Sequence, residues 1–250
     1  LPTLKVGLHL VLVRGRTLLP PADVPDLADA YGNLPSDLCR AGVSFFFRPA
    51  VRRQLEAEIR AQFAAFGATG LPLDHVNTHH HMHLHPTVCE LLLKVGGEYG
   101  MAAVRVPNEP WRPRGEGSRE GVLRHLAAWV GLRFWVRRLV KRLRQANLQH
   151  NDFVFGMRDT GRMSADRVLA LLAELPEGVS EMYFHPAVRK SPETPWPKHY
   201  ACEEELDALT SPVVAAALEA SGIRRTSFSE LAVAYPVEHG GHGGRRARRG

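Results

Sequence analysis

The stretch Asp74-His75-Val76-Asn77-Thr78-His79-His80-His81-Met82-His83-Leu84-His85-Pro86 gathers six of the chain's 13 histidines. Neutral imidazole is the commonest protein ligand for transition metals, so the run points first to metal chemistry. Two or three of these rings suffice to hold an ion. The competing reading is a histidine-rich loop that takes up metal adventitiously. In an extended segment His79, His81, His83 and His85 would face one side and His80 the other. Two more histidines stand apart: His9 lies inside the apolar Val6-Gly7-Leu8-His9-Leu10-Val11-Leu12, and His185 ends Met182-Tyr183-Phe184-His185-Pro186-Ala187. Each alone reads as a satisfied core residue. Three strands that carry or end in histidine point instead to the strand-end face where parallel α/β folds place their chemistry.

The elements that would position them follow from periodicity and punctuation. Residues 4–13 read as a buried strand, and 23–43 as a loop with prolines, glycines and scattered charges. A helix opens at Arg48-Pro49 and runs to about Phe66, with Leu55, Ile59, Phe63 and Phe66 at three- and four-residue spacing and glycines beyond. Residues 73–77 form a short strand that delivers the histidine run. Pro86 then starts a helix that ends near Tyr99, before Gly100. Strands are expected at 102–106, 179–184 and 223–228, and helices at 122–144, 163–175 (N-capped by Ser164), 203–209 and 212–220. Alternating strands and helices imply a largely parallel sheet or barrel.

Composition sets limits. At 250 residues the chain can bury a large core, and 44% apolar with 23% charged residues is ordinary for a globular protein. Cys39, Cys89 and Cys202 are few and widely spaced. They suggest neither a disulfide framework nor a CxxC site, and fit a cytoplasmic, reducing compartment. Half of the +6 net charge sits in residues 236–250, a Gly/Arg tail too polar to fold. The remaining charge gives no ground for a nucleic-acid partner.

Four segments carry a resemblance. They are Val6-Gly7-Leu8-His9-Leu10-Val11-Leu12, the block His79 to Pro86 after Asp74 and Asn77, Ala103-Val104-Arg105-Val106-Pro107, and Tyr183-Phe184-His185-Pro186-Ala187. Asn151-Asp152-Phe153-Val154-Phe155-Gly156 and Glu205-Leu206-Asp207-Ala208-Leu209-Thr210-Ser211 add to it. Together they resemble the YdjC-like carbohydrate deacetylase family, most closely its hopanoid-biosynthesis-associated (HpnK) branch, over one domain of residues 1–235. The resemblance implies a deformed (β/α) barrel of the polysaccharide-deacetylase type. It also implies hydrolysis of the N-acetyl group of an amino sugar, on a hopanoid glycolipid in the closer branch. One divalent ion, Mg or Zn, would be held by an Asp with His9 and His79. His185 would be the acid to the leaving amine. Arg105 would orient a base carboxylate, or form a salt bridge at a strand end. His81 and His83 would line the sugar pocket or support the metal ligands.

The chain departs from the family in one respect. Members open on a strand with a paired-aspartate ADDFG motif, and no Asp-Asp pair occurs here. The expectation is an N-terminally incomplete barrel, with the first strand, helix and second strand lying upstream of Leu1. The alternative is a catalytically impaired metal- or carbohydrate-binding relic. Asp74 and Asp152 are the candidates to substitute for the absent pair. Finally, residues 129–144 mix Trp129, Phe134 and Trp135 with Arg133, Arg137, Arg138, Lys141, Arg142 and Arg144. Too charged to span a bilayer, this segment reads either as a helix with a solvated basic face or as a peripheral contact with the inner membrane face.

Overall fold

The computed structural model describes residues 3–111, 119–189 and 197–234. They form two compact units of mixed α/β structure. The first comprises Leu1–Arg105, Phe134–His150 and Thr226–Gly250, the second Val106–Arg133 and Asn151–Arg225.

In the first unit β1 (Val6–Leu10) pairs parallel with β2 (Leu73–Thr78), which sets His9 beside Asn77. On its other side β2 bonds to the segment around Ala103: Val76 N–H donates to Ala103 O and Arg105 N–H to Val76 O, each at 3.0 Å. That segment in turn bonds to Gln149, again in parallel. Parallel neighbours need crossovers. These are α1 (Leu38–Phe47), α2 (Pro49–Gly67), α3 (Pro86–Glu98) and α4 (Arg119–Gln145). Val51, Leu55, Ile59 and Phe63 recur every four residues on α2 and are fully buried. They pack in a core with Leu10, Val76, Leu92, Val95 and Val104.

Two expectations are corrected in this unit. The loop expected over 23–43 ends in α1, because Asp37 Oδ1 accepts from Cys39 N and Arg40 N and caps a helix that buries Ala41 and Phe45. The strand expected over 223–228 does not form. Ser227 instead opens α8 (Phe228–Ala234), its Oγ accepting from Glu230 N at 3.2 Å and its carbonyl from Leu231 N at 3.0 Å. The pattern Ser227-Phe228-Ser229-Glu230 is a helix-start signature that outweighs the β-propensity of Ile223. Ser227→Ala is expected to cost about 1 kcal/mol, read as a lower urea midpoint at unchanged slope.

In the second unit β3 (Phe153–Phe155) pairs parallel with β4 (Ser180–Met182), joined through α5 (Ala165–Leu172). Ser164 caps α5 as expected, accepting from Arg167 N. Phe155, Met163, Val168, Leu171 and Ala208 form the core, with α6 (Cys202–Thr210) and α7 (Pro212–Ala220) around it. All three cysteines are free. Among the described residues no helix is long and apolar enough to cross a membrane. The Gly/Arg tail lies outside the described residues.

Candidate metal centre

The histidine run does not continue β2 as an extended segment. The strand stops at Thr78, and His79–Leu84 form a 3₁₀ segment in which His80 and His81 take left-handed backbone angles, φ 52° and 54°. The side-to-side alternation expected for the rings is therefore lost. His79 instead turns toward β1, and its Nδ1 lies 3.4 Å from His9 Nε2. Two imidazole ligands bound at about 2.0–2.1 Å to one tetrahedral ion would be about 3.3–3.4 Å apart. The pair thus fits two positions of a metal site.

The His9 ring is fixed from behind. Asn77 Oδ1 can only accept, so the short bond between it and His9 Nδ1 places the proton on Nδ1 and leaves the Nε2 lone pair facing His79. Asn77 Nδ2 approaches His75 Nε2 at 3.4 Å, and His75 Nδ1 donates to Asp74 Oδ2 at 3.0 Å. Asp74 Oδ1 accepts from Ser229 N of α8 at 2.9 Å, and Phe228 packs on the His75 ring. Donor and acceptor roles agree along the whole series, from α8 to His9. Such outer partners fix ligand tautomers in metal sites. Desolvation pushes the Asp74 carboxyl upward, but the bonds from Ser229 and His75 outweigh it and hold its pKa below the usual value. Both Asp74 oxygens already accept a hydrogen bond. Asp152 is likewise engaged, its Oδ2 accepting from Val179 N at 2.9 Å in the second unit.

Gly7 makes room for this series. A Cβ there would stand 2.6 Å from His75 Cε1. Gly7→Ala is expected to displace His75 and cost about 1–3 kcal/mol. Urea unfolding would read the loss, and an unchanged midpoint would show that His75 moves aside freely.

Desolvation, with a smaller contribution from Arg105, lowers the His9 pKa against the raising effect of its Asn77 bond. Burial, again reinforced by Arg105, lowers His81 to about 4. Both rings are neutral near pH 7, the form that binds metal. His81 Nδ1 is buried without a hydrogen-bond partner among the described residues, an orphaned polar atom beside the His9–His79 pair. His83 is different. It is completely buried, bonded through Nδ1 to Thr78 Oγ1 at 2.6 Å and through Nε2 to the Arg105 carbonyl at 2.9 Å. With both nitrogens occupied it holds the 3₁₀ segment to β2 and to the neighbouring Arg105 strand segment. Among the described residues no group of three or more His, Cys, Asp or Glu side chains is arranged to hold a metal.

His185 follows β4 in the second unit and is half-buried. Its backbone N–H donates to Glu205, a fully buried carboxylate that also accepts from Met163 N at 3.0 Å. The ring meets Tyr183 edge-on at 5.6 Å and Tyr200 at 4.9 Å between centroids. Motif reading names Asn77 and Glu205 within the family segments without giving them these roles, and it passes over His75. His75 and Asn77 share one face of β2, and Glu205 ends the acidic run Glu203-Glu204-Glu205 of α6.

A carbohydrate deacetylase of Geobacillus stearothermophilus is 28% identical over 234 residues, covering 92% of this chain and 77% of that protein. One of Brevibacillus brevis is 41% identical over 111 residues, or 44% of this chain, which spans only 40% of that relative's length. The fold matches a crystal structure from Enterococcus faecalis, described as a cellobiose-phosphate cleavage protein, with a TM-score of 0.65 at 22% identity over 92% of this chain and 78% of that one. The family model described as YdjC-like protein matches residues 1–220, and the chain belongs to that family.

Proposed function

We propose that this chain carries the histidine side of a metal-dependent N-deacetylase, which releases acetate from an N-acetylated amino sugar on a hopanoid glycolipid. The observation that carries the reading is the His9–His79 pair, two ring nitrogens 3.4 Å apart with the His9 tautomer set by Asn77. Relatives named carbohydrate deacetylases support the reaction class. The hopanoid substrate rests on the resemblance of the four motif segments. Parallel pairing, with His9 and His79 at adjacent strand ends, supports a deformed (β/α) barrel.

In this reading His9 and His79 hold a divalent ion, zinc or magnesium, together with a carboxylate outside the described residues. When bound, such an ion polarises the acetamide carbonyl and acidifies a water. Arg105 orients the base carboxylate that takes the water proton, and its charge also keeps the neighbouring imidazoles neutral. His81 donates to the sugar or its acetyl group through its free Nδ1, and His83 positions the segment that carries it. Water adds to the acyl carbon, the C–N bond breaks, and His185 gives its proton to the departing nitrogen. The His185 role comes from the motif resemblance.

The test is acetate release from chitooligosaccharides and from N-acetylglucosaminyl bacteriohopanetetrol, using the protein with any segment its gene encodes ahead of Leu1. Release should stop with a chelator and return with added metal. No metal-dependent release from either substrate would sink the proposal. The second reading, an impaired metal- and carbohydrate-binding relic, is favoured by the incomplete ligand set among the described residues. Stoichiometric metal uptake without acetate release would establish it.

A further inference from the structure

A cavity of about 350 Å³ opens in the first unit, and neither His9 nor His79 lines it. It is of the size that holds small ligands, roughly 300–1,000 Å³. Its back wall is the buried His83, and Leu84 and Pro86 supply apolar surface. Arg52 of α2 and Arg138 and Arg142 of α4 bring three guanidiniums to it, against one acid, Glu90. Glu90 is already paired with Arg52 at 2.6 Å. Arg138 and Arg142 have no ion pair among the described residues, and the side-chain partner of Arg142 is the buried Cys89 thiol. The cavity therefore carries an excess of positive charge that nothing in the described chain neutralises.

Its mouth is aromatic. Phe46 lines it from α1 and is 53% exposed, and Phe47 beside it is 72% exposed, with the two rings 4.8 Å apart. On α4, Phe134 precedes Arg138 by one helical turn, and Arg142 follows by another, so the three share a stripe. Phe134 is 62% exposed and Trp135 39%. Solvent-facing aromatics on two helices flank a cationic pocket, and no described element covers them. Basic residues with aromatics on one face mark a surface that lies in the headgroup region of a bilayer.

We propose that this face docks on an anionic membrane, with the phosphate of a lipid headgroup held by Arg138 and Arg142 in the cavity and Phe46, Phe47 and Phe134 entering the acyl boundary. The alternative occupant with the same chemistry is a free phosphate compound. A water-soluble anion would account for the arginines, but not for the exposed Phe46 at the cavity, Phe47 beside it and Phe134 on the α4 stripe of Arg138 and Arg142. The proposal does not require the chain to be a deacetylase.

The test is flotation of the full chain with vesicles of phosphatidylcholine alone and with added phosphatidylglycerol. Binding should require the anionic lipid and weaken as salt rises. The double variant Arg138→Glu/Arg142→Glu should bind at least about tenfold more weakly, since each surface arginine contributes about a factor of five. Phe47→Ser, a fully surface change, should weaken binding without altering its salt dependence. Circular dichroism would check that both variants keep their helix content. Equal flotation of the parent and the double variant would assign binding to the arginines of the C-terminal tail and overturn the proposal. So would equal binding to neutral vesicles. Uptake of inorganic phosphate with no vesicle binding would overturn the lipid assignment in favour of a soluble anion.

Discussion

His79→Ala is expected to abolish specific divalent-metal binding and, in the catalytically competent protein, to lower turnover on the order of 10³-fold. The magnitude follows from several kcal/mol of transition-state stabilisation by a bound ion, at about 1.4 kcal/mol per factor of ten. His9→Ala should match it, because the two rings supply the two nitrogens that face each other at 3.4 Å. The more discriminating variants lie one shell out. Asn77→Leu removes the acceptor that keeps the His9 proton on Nδ1, and should weaken zinc binding by about 10–100-fold. Asn77→Asp should retain affinity, since a carboxylate accepts from His9 equally well. It removes the amide donor facing His75 Nε2, however, and so breaks the series behind His9 while leaving the His9 acceptor in place. Calorimetric titration with zinc gives the affinities. If Asn77→Leu binds zinc as tightly as the parent, Asn77 does not set the His9 tautomer. If His79→Ala does so, the ion sits elsewhere.

The parts of this centre differ in how far the sequence discloses them. Helices α2, α3, α5 and α7 follow the apolar spacing and the proline, serine and glycine punctuation closely, because local signals and tertiary packing agree there. His9 and His79 are legible as a pair only through strand register, which the resemblance supplies and the pairing of His9 with Asn77 explains. The histidine loop is another matter. Nothing in His79-His80-His81 announces two successive left-handed residues, a conformation rare outside glycine, so alternation is the natural expectation. Its failure separates His83, enclosed and doubly bonded, from His81, with a free buried nitrogen. The series from Asp74 to His9 leaves a fainter trace: a glycine at position 7 where a strand would favour a side chain, and polar residues at 75 and 77 on one face of β2. Its terminus on Ser229 is 155 residues from Asp74 in the chain, and no local pattern conveys such a contact.

His83 should make the fold acid-labile in a specific window. The Arg105 carbonyl can only accept, so His83 Nε2 carries the ring proton and Nδ1 is the acceptor for the Thr78 hydroxyl. Thr78 Oγ1 accepts in return from His83 N at 3.0 Å. A second ring proton would point at a hydroxyl whose own hydrogen already lies on that line. Burial above all, then the charges of His81, Arg105 and His9, push the pKa down to about 3, against the raising effect of the Arg105 carbonyl. The unfolded ring binds its proton near 6.5, and the folded ring does not. Stability from this group is therefore complete above pH 6.5 and is lost at about 1.4 kcal/mol per pH unit as the pH falls from there toward 3. Urea unfolding of the parent and of His83→Gln at pH 7, 6, 5 and 4 isolates the effect from the carboxylates common to both. The variant should be the less stable at pH 7, because Gln does not fill the ring's place, and the gap should narrow or reverse by pH 4. Two curves that fall in parallel from pH 7 to pH 4 would show that His83 takes up its proton in the folded state, and the hydrogen bonds drawn here for Thr78 and Arg105 would have to be reassigned.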